Sequence, residues 1–242
     1  MCNNEEELHN SQLKWKEYPN IRYLLGDIRN LERVKRALKN IDYVFSCAAV
    51  KHVPFAEGNP IEAVMINIIG LYNIINACVV QGVKSLLHIS TDKACYPTCV
   101  MGATKFIGEQ LCQILAEQNS ELRIIVIRSG NVWNSRGSFS LLLEKYKKEN
   151  KPFPLTHPDM KRYFIEKDEL GKFIMEAFDK ANSGEIWVPR LKEKLIIDLI
   201  GDYPYEIVGC RKGEKLEEKL ISEEEMIRIK EYNDRWVISG EI

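Results

Sequence analysis

Short apolar runs alternate along this chain with longer segments in which apolar residues recur every three or four positions. Residues 21–25 (IRYLL) form an apolar run closed by Gly26 and Asp27, and a helical pattern follows over 30–39. The unbroken run 43–47 (YVFSC) suits a strand buried on both faces. Over 61–81, Ile61, Val64, Ile68, Leu71, Ile75 and Cys78 fall at helical spacing, and Gly82 is placed to stop the helix. The pattern then predicts a strand at 85–89 (SLLHI), a helix over 101–118 and a strand at 123–127 (RIIVI). Strands separated by helices of this length pair in parallel through βαβ crossovers. After Gly137 the order becomes mixed: a helix near 139–148, the Pro-punctuated KPFPLTHPDM, a helix over 167–181, short strands near 185–188 and 205–208, and an acidic helix from Ser222. The expected class is α/β, with a smaller α+β lobe in the last third.

Composition narrows the function. The 242 residues suffice for one large domain or two small ones, and 45% hydrophobic with 29% charged residues is the profile of a soluble globular chain. Lys and Arg number 34 against 35 Asp and Glu, so there is no basic surplus to support nucleic-acid binding. No run reads as the ~20 apolar residues of a membrane helix, and the polar start MCNNEEELHN carries no signal-peptide pattern. A cytoplasmic location without a membrane segment is expected. The seven cysteines are odd in number and several lie in apolar runs, which fits reduced, buried thiols. Cys95 and Cys99 lack the second pair or His set that a metal site needs. His88, inside an apolar strand, reads as a packed core residue, and Glu223–Glu225 as a solvated helix face.

Open parallel sheets bind ligands at the carboxyl ends of their strands, and the polar clusters fall there. Ala48-Ala49-Val50-Lys51-His52 follows the 43–47 strand, Ser90-Thr91-Asp92-Lys93 follows 85–89, and Arg128-Ser129-Gly130-Asn131 follows 123–127, with Ser135-Arg136-Gly137 close behind. Three strands thus deliver hydroxyls, lysines, an aspartate and arginines to one edge, the makings of an anion site. Met101 and Lys105, four apart, share one face of the next helix.

The segment STDKACYPTCVMGATK (90–105) resembles the active-site stretch of the CapD-like polysaccharide-biosynthesis branch of extended short-chain dehydrogenase/reductases, which includes UDP-N-acetylglucosamine 4,6-dehydratases. GDIRN (26–30), AAVKHVPFAEGNPIEAVMINIIG (48–70), RSGNVWNSRGS (128–138), PLTHPDMKRYF (154–164), GEIWVP (184–189) and GCRKGEKLEEKLIS (209–222) extend the resemblance, in order, over nearly the whole chain. It implies a Rossmann-like parallel sheet with helices on both faces, NAD or NADP as cofactor, a UDP-sugar substrate and homo-oligomers. It implies a partial dinucleotide-binding domain over 1–136, with 165–181 packing back onto it, and a nucleotide-sugar lobe over 137–164 and 182–242. Asp27 and Ile28 would flank the adenine, Ala48, Ala49 and Ser90 would line the dinucleotide, and Lys51 and Asn67 would lie near its nicotinamide half. Lys105 would hold the nicotinamide ribose. Thr91, Asp92 and Lys93 match the catalytic run, Asp92 as acid and Lys93 as base in eliminating water across C5–C6 of the sugar. Lys51, Asn131 and Arg136 would contact the nucleotide sugar, and Arg162 and Glu214 its diphosphate and uridine end.

Three departures accompany the resemblance. Met101 stands where the family's Tyr-x-x-x-Lys pair has its tyrosine, which shifts proton transfer onto Asp92 and Lys93. Ser129 replaces an aromatic wall. No G-x-G-x-x-G occurs in the chain, so the motif that lets backbone approach a pyrophosphate is missing. In a 3-2-1-4-5-6 sheet the strand at 21–25 would be the third and that at 43–47 the fourth, with the first two strands absent from between them. The sheet is expected either to keep that gap or to pair the third strand with the fourth, exposing apolar edge either way. A nucleotide-sugar dehydratase or a fragment of one, a UDP-sugar 4-epimerase, and a non-catalytic remnant that binds UDP-sugar weakly remain open on these residues.

Overall fold

Residues 1–240 are described by a computed structural model. The chain begins with α1 (Glu5–Lys14), α2 (Leu31–Ala37), β1 (Tyr43–Ser46), α3 (Val53–Gly58) and α4 (Pro60–Val64). A π-helical stretch, Met65–Gly70, runs on into α5 (Leu71–Gln81), which Gly82 caps at φ 68° as its position predicts. Then come β2 (Ser85–Ile89), α6 (Val100–Gln118), β3 (Arg123–Ile127), β4 (Asn131–Val132), α7 (Phe139–Lys148), β5 (Phe153–Leu155), β6 (Lys161–Ile165) and α8 (Lys167–Lys180). The chain closes with β7 (Ile186–Pro189), β8 (Glu193–Leu195), α9 (Ile196–Ile200), β9 (Tyr205–Ile207), β10 (Ile229–Glu231) and β11 (Arg235–Ile238).

The apolar runs at 85–89 and 123–127 are central strands because both their faces are covered. The main sheet has the order β1-β2-β3-β7-β11-β10, parallel from β1 to β7 and antiparallel beyond. Leu86, Ile124, Val126, Ile186 and Val188 point to one layer, where they meet Val34, Leu71, Ile75 and Cys112 of α2, α5 and α6. Their neighbours Leu87, Ile125, Ile127 and Trp187 point to the other, against Leu170, Phe173 and Ala177 of α8. This is the α/β, Rossmann-like arrangement expected.

Five expectations are corrected. Residues 21–25 form no strand: Leu25 makes one isolated parallel bridge to Cys2. The segment is instead tied to helices, Arg33 Nε donating to the Leu25 carbonyl and Asn73 Nδ2 to those of Ile28 and Arg29. Consequently, among the described residues β1 pairs with β2 alone and is an edge strand, with Tyr43 53% and Phe45 45% exposed rather than buried on both faces. Their rings lie against Phe178 of α8. The helix expected from Ser222 is a single 3₁₀ turn, Glu225–Arg228, and the chain then makes the β10–β11 hairpin. Through β7, β10 and β11, residues 186–189, 229–231 and 235–238 belong to the main sheet and not to the lobe. Finally, the helix Pro60–Gln81 is long and apolar enough, at mean hydropathy 1.9, to cross a bilayer; half of its most apolar window is buried inside the protein.

The lobe is small. Sheets β4-β6-β8 and β5-β9 enclose Leu143, Phe153, Leu155, Met160, Ile196 and Ile200. It sits over the carboxyl ends of β1, β2 and β3, facing the polar loops that leave them.

Candidate active site

The loops after β1, β2 and β3 are fixed by backbone hydrogen bonds before any ligand arrives. Buried Asn67, in the π-helical stretch, accepts from Val50 N at 2.8 Å and donates to Val50 O at 3.0 Å and Thr104 Oγ1 at 2.9 Å. A π-helical turn widens the helix and often marks a functional position; here it delivers an amide that grips the loop after β1. Ser90 N donates to Ile127 O and Asp92 N to Ser129 O, which stitches the loop after β2 to β3. A Cβ on Gly102 would lie 2.3 Å from the Lys93 carbonyl oxygen, so only glycine lets the first turn of α6 pack this close.

At the centre stands a buried ion pair. Asp92, wholly buried, accepts at Oδ1 from Thr91 Oγ1 at 2.8 Å and from Lys93 Nζ at 3.0 Å, while its Oδ2 has no hydrogen-bond partner among the described residues. A second carboxylate, Glu218 Oε1, lies 3.5 Å from Lys93 Nζ, and Glu218 Oε2 is 2.9 Å from Lys215 Nζ. Burial presses the Lys93 ammonium toward neutrality, but Asp92 and Glu218 outweigh it against opposition from Arg162, so its pKa is raised.

Lys105 behaves differently. Its buried ammonium donates to the Ile89 carbonyl and to His88 Nε2. Burial is the main cause of its pKa falling to about 8, with Glu109, Cys112 and Cys47 opposing the fall. Burial and then Lys105 push the His88 pKa well down. A neutral ring that accepts at Nε2 must carry its proton on Nδ1, which then donates to Ser46 Oγ at 3.3 Å. The core histidine read from the sequence is thus also the seat of Lys105.

Two adjoining cavities of about 270 and 250 Å³ open from this centre and share Lys51, His52, Lys93, Asn131 and Gly137. The inner one is lined by Ala49, Ser90, Thr91, Met101, Lys105 and Arg136, the outer one, under the lobe, by Arg162, Glu214, Lys215 and Glu218. Lys51 Nζ donates to Arg136 O, and the exposed Arg136 guanidinium pairs with Glu7 of α1 at 2.6 Å. Asn131 Nδ2 donates to Tyr163 O. Arg162 is buried, with Nη1 on the carbonyls of Lys161 and Leu216, and Glu214 accepts from Arg211 N.

Asp27, Ile28, Ala48 and Asn67 lie outside both cavities. Asp27 is ion-paired to Arg29, whose hydrogen bonds lower its pKa against the effect of burial, and Ile28 packs against Gly70. Asp92 itself sits behind Thr91 and Lys93 rather than on the cavity wall. Arg128, expected at the ligand edge, turns inward and is fully buried between Glu109 and Glu225. Glu225 therefore belongs to the core and not to a solvated face. Sequence reasoning missed Glu218 and Lys215: Glu218 is one of two adjacent glutamates, and the other, Glu217, is an ordinary exposed partner of Lys161. Among the described residues no group of His, Cys, Asp and Glu forms a metal site.

Comparison with known proteins gives concordant matches. A family model described as "Polysaccharide biosynthesis protein" matches residues 2–239. The chain is 40% identical over 235 residues to an uncharacterized membrane protein of Methanocaldococcus jannaschii, covering 90% of this chain and 71% of that protein. It is 38% identical over 232 residues to the UDP-N-acetylglucosamine 4,6-dehydratase (inverting) of Campylobacter jejuni, covering 93% and 69%. Among solved structures, Pen from Bacillus thuringiensis superposes with a TM-score of 0.95 at 35% identity, covering 100% of this chain and 79% of that one.

Proposed function

This chain belongs to the polysaccharide biosynthesis protein family, and from that premise we propose that it is an NAD(P)-dependent 4,6-dehydratase of a UDP-activated sugar, of the UDP-N-acetylglucosamine type. The observation that carries the reading is the Thr91–Asp92–Lys93 cluster, set where the two cavities meet. Seven cationic side chains line those cavities (Lys51, Lys93, Lys105, Arg136, Arg162, Arg211, Lys215) against two carboxylates, Glu214 and Glu218. That balance suits a diphosphate. A 4-epimerase needs proton transfer at C4 only, whereas a paired acid and base supports removal of the C5 proton together with departure of the C6 hydroxyl, which favours dehydration.

The inner cavity fits the nicotinamide-ribose end of the cofactor. Ser90 Oγ is buried with no hydrogen-bond partner among the described residues, and it lines the same cavity as Lys105, donors suited to ribose hydroxyls. Lys105, Ser90 and Ala49 would hold the group, which when bound supplies oxidation at C4 and return of the hydride at C6. Met101 carries no proton to exchange, so the proton work falls to the cluster. The C5 proton of a 4-keto sugar is acidic, and its removal needs a neutral amine. Moving one proton along the 3.0 Å bond from Lys93 Nζ to Asp92 Oδ1 produces that amine and a carboxylic acid together. Lys93 then takes the C5 proton, and Asp92 passes its own through Thr91 Oγ1 to the departing C6 hydroxyl, which leaves as water. Lys93 returns a proton to C5 as C6 is reduced, and the cluster regains that proton from solvent, to which the C4 hydroxyl gave up its own. The seven unpaired thiols suit a reducing cytoplasm.

The test combines titration calorimetry of NAD(P) with a product assay on UDP-N-acetylglucosamine. The expected product is lighter than substrate by one water and carries a 4-keto-6-deoxy sugar. Asp92→Asn should lower turnover about 10²- to 10⁴-fold, the range of lost acid–base catalysis, with cofactor affinity unchanged. A product of unchanged mass would select epimerisation. A folded chain that neither binds cofactor nor forms product would overturn the reading for this polypeptide.

A further inference from the structure

Glu218 reaches the site from the segment that roofs the outer cavity. That segment is fastened to the rim: Lys215 Nζ donates to the carbonyls of Cys95 and Tyr96, Thr98 Oγ1 to Gly213 O, and Arg162 Nη1 to Leu216 O. Glu218 is 2% exposed, whereas its neighbour Glu217 sits at the surface. A carboxylate is kept out of water only where something compensates it, and here the compensation is two ammonium groups, Lys215 at 2.9 Å and Lys93 at 3.5 Å.

From this placement we infer that Glu218 is a positioning residue of the site: it holds the Lys93 amine between its own carboxylate and that of Asp92, and sets the pH at which Lys93 gives up its proton. The inference rests on the dehydratase reading for what Lys93 does, but not for how Lys93 is held. The groups facing Lys93 are Asp92 beside it, Glu218 and Lys215 from the roof, and Arg162 from β6, with Tyr163 of β6 near Asp92. Burial and Arg162 both favour the neutral amine, and the two carboxylates oppose them. Without Glu218, Asp92 alone opposes burial and Arg162.

The test is a carbon-13 NMR titration of the lysine ε-carbons in the full chain, with Lys93 assigned through its loss in Lys93→Arg. In Glu218→Gln the Lys93 midpoint should fall by about 1 pH unit or more, the usual size of one close charge, while Glu218→Asp should keep most of the wild-type value. The pH at which turnover falls on the alkaline side, where the cluster loses its one shared proton, should move down by the same amount. An unmoved midpoint in a folded Glu218→Gln protein overturns the inference, even where the wild type forms the dehydrated product. A shifted midpoint in a chain that forms no such product supports it while the dehydratase reading fails. Should Glu218→Gln not fold, Lys215→Gln keeps Glu218 and removes its competing cation, so the Lys93 midpoint must move upward; no movement there overturns the inference equally.

Discussion

Two buried cations in this molecule lie between two carboxylates each, and they are built to opposite ends. Arg128 spends all five of its N–H groups: Nε and Nη2 on Glu109, Nη1 and Nη2 on Glu225, and Nη1 again on Leu220 O. Lys93 makes one hydrogen bond to Asp92 and a looser contact with Glu218, leaving Asp92 Oδ2 with no partner among the described residues and the amine on the wall of both cavities. Burial opposes the charge on Arg128, but Glu109 and Glu225 raise its pKa and keep it charged at every working pH. A saturated fork has no proton to trade and no room to move. An unsaturated ammonium has both, which is what acid–base work requires.

The contrast breaks most visibly under deletion of each cation. Arg128→Met should cost about 3–5 kcal/mol, because it strands two buried carboxylates, whereas Lys93→Met, which strands Asp92 but leaves Glu218 its Lys215 partner, should cost less, about 2–3 kcal/mol, and remove turnover. Denaturant midpoints measured side by side decide it; equal losses would mean that the two clamps are alike. Lys105, a third buried cation, sharpens the comparison through pH. Its pKa is depressed from 10.5 to about 8, so below pH 8 folding carries the whole cost of burying a charge that the unfolded chain keeps in water. That cost is relieved as pH rises from about 8 to 10.5. Lys105→Met should therefore gain up to about 3 kcal/mol at pH 7, a gain that shrinks across that interval in unfolding experiments, even as it abolishes cofactor binding. The smallest effect belongs to Glu225→Gln, about 2 kcal/mol near neutral pH. Burial raises the Glu225 pKa, but Arg128 overrides it and leaves it depressed, so its stabilisation is present above the ordinary carboxylate value of 4.5 and lost as pH falls through the lower folded one. The variant should flatten the acid limb of the stability profile.

How far the chain could be read before folding follows from the same distinction. The strands at 85–89 and 123–127 agree with the structure to the residue because long apolar runs in a covered sheet have no other place to go. The carboxyl-edge loops were legible too, since three polar clusters in register require parallel strands. The β10–β11 hairpin was not: its strands hold three and four residues and carry Lys230, Glu231 and Arg235, so no period of two stands out. The helix expected at Ser222 failed because Glu225, acidic and apparently solvated, is consumed by Arg128, and Ser222 N and Oγ close the turn on it. Glu218 was illegible for a related reason, as nothing local distinguishes it from Glu217. The sequence also overstated β1, whose apolar residues imply two covered faces and two neighbours, where the structure provides only β2.

The Arg128 clamp joins residues 97 positions apart, and that span has a consequence for how the protein is made. During synthesis at 5–20 residues per second, Arg128 waits roughly 5 to 20 seconds for Glu225 to be added. Until then the half-filled guanidinium has only Glu109, and the roof that carries Glu214, Lys215 and Glu218 has no anchor on β3. The nascent sheet can form its parallel strands early, but the pocket proposed as its active site is roofed late, once Arg128 can hold Leu220 and Glu225.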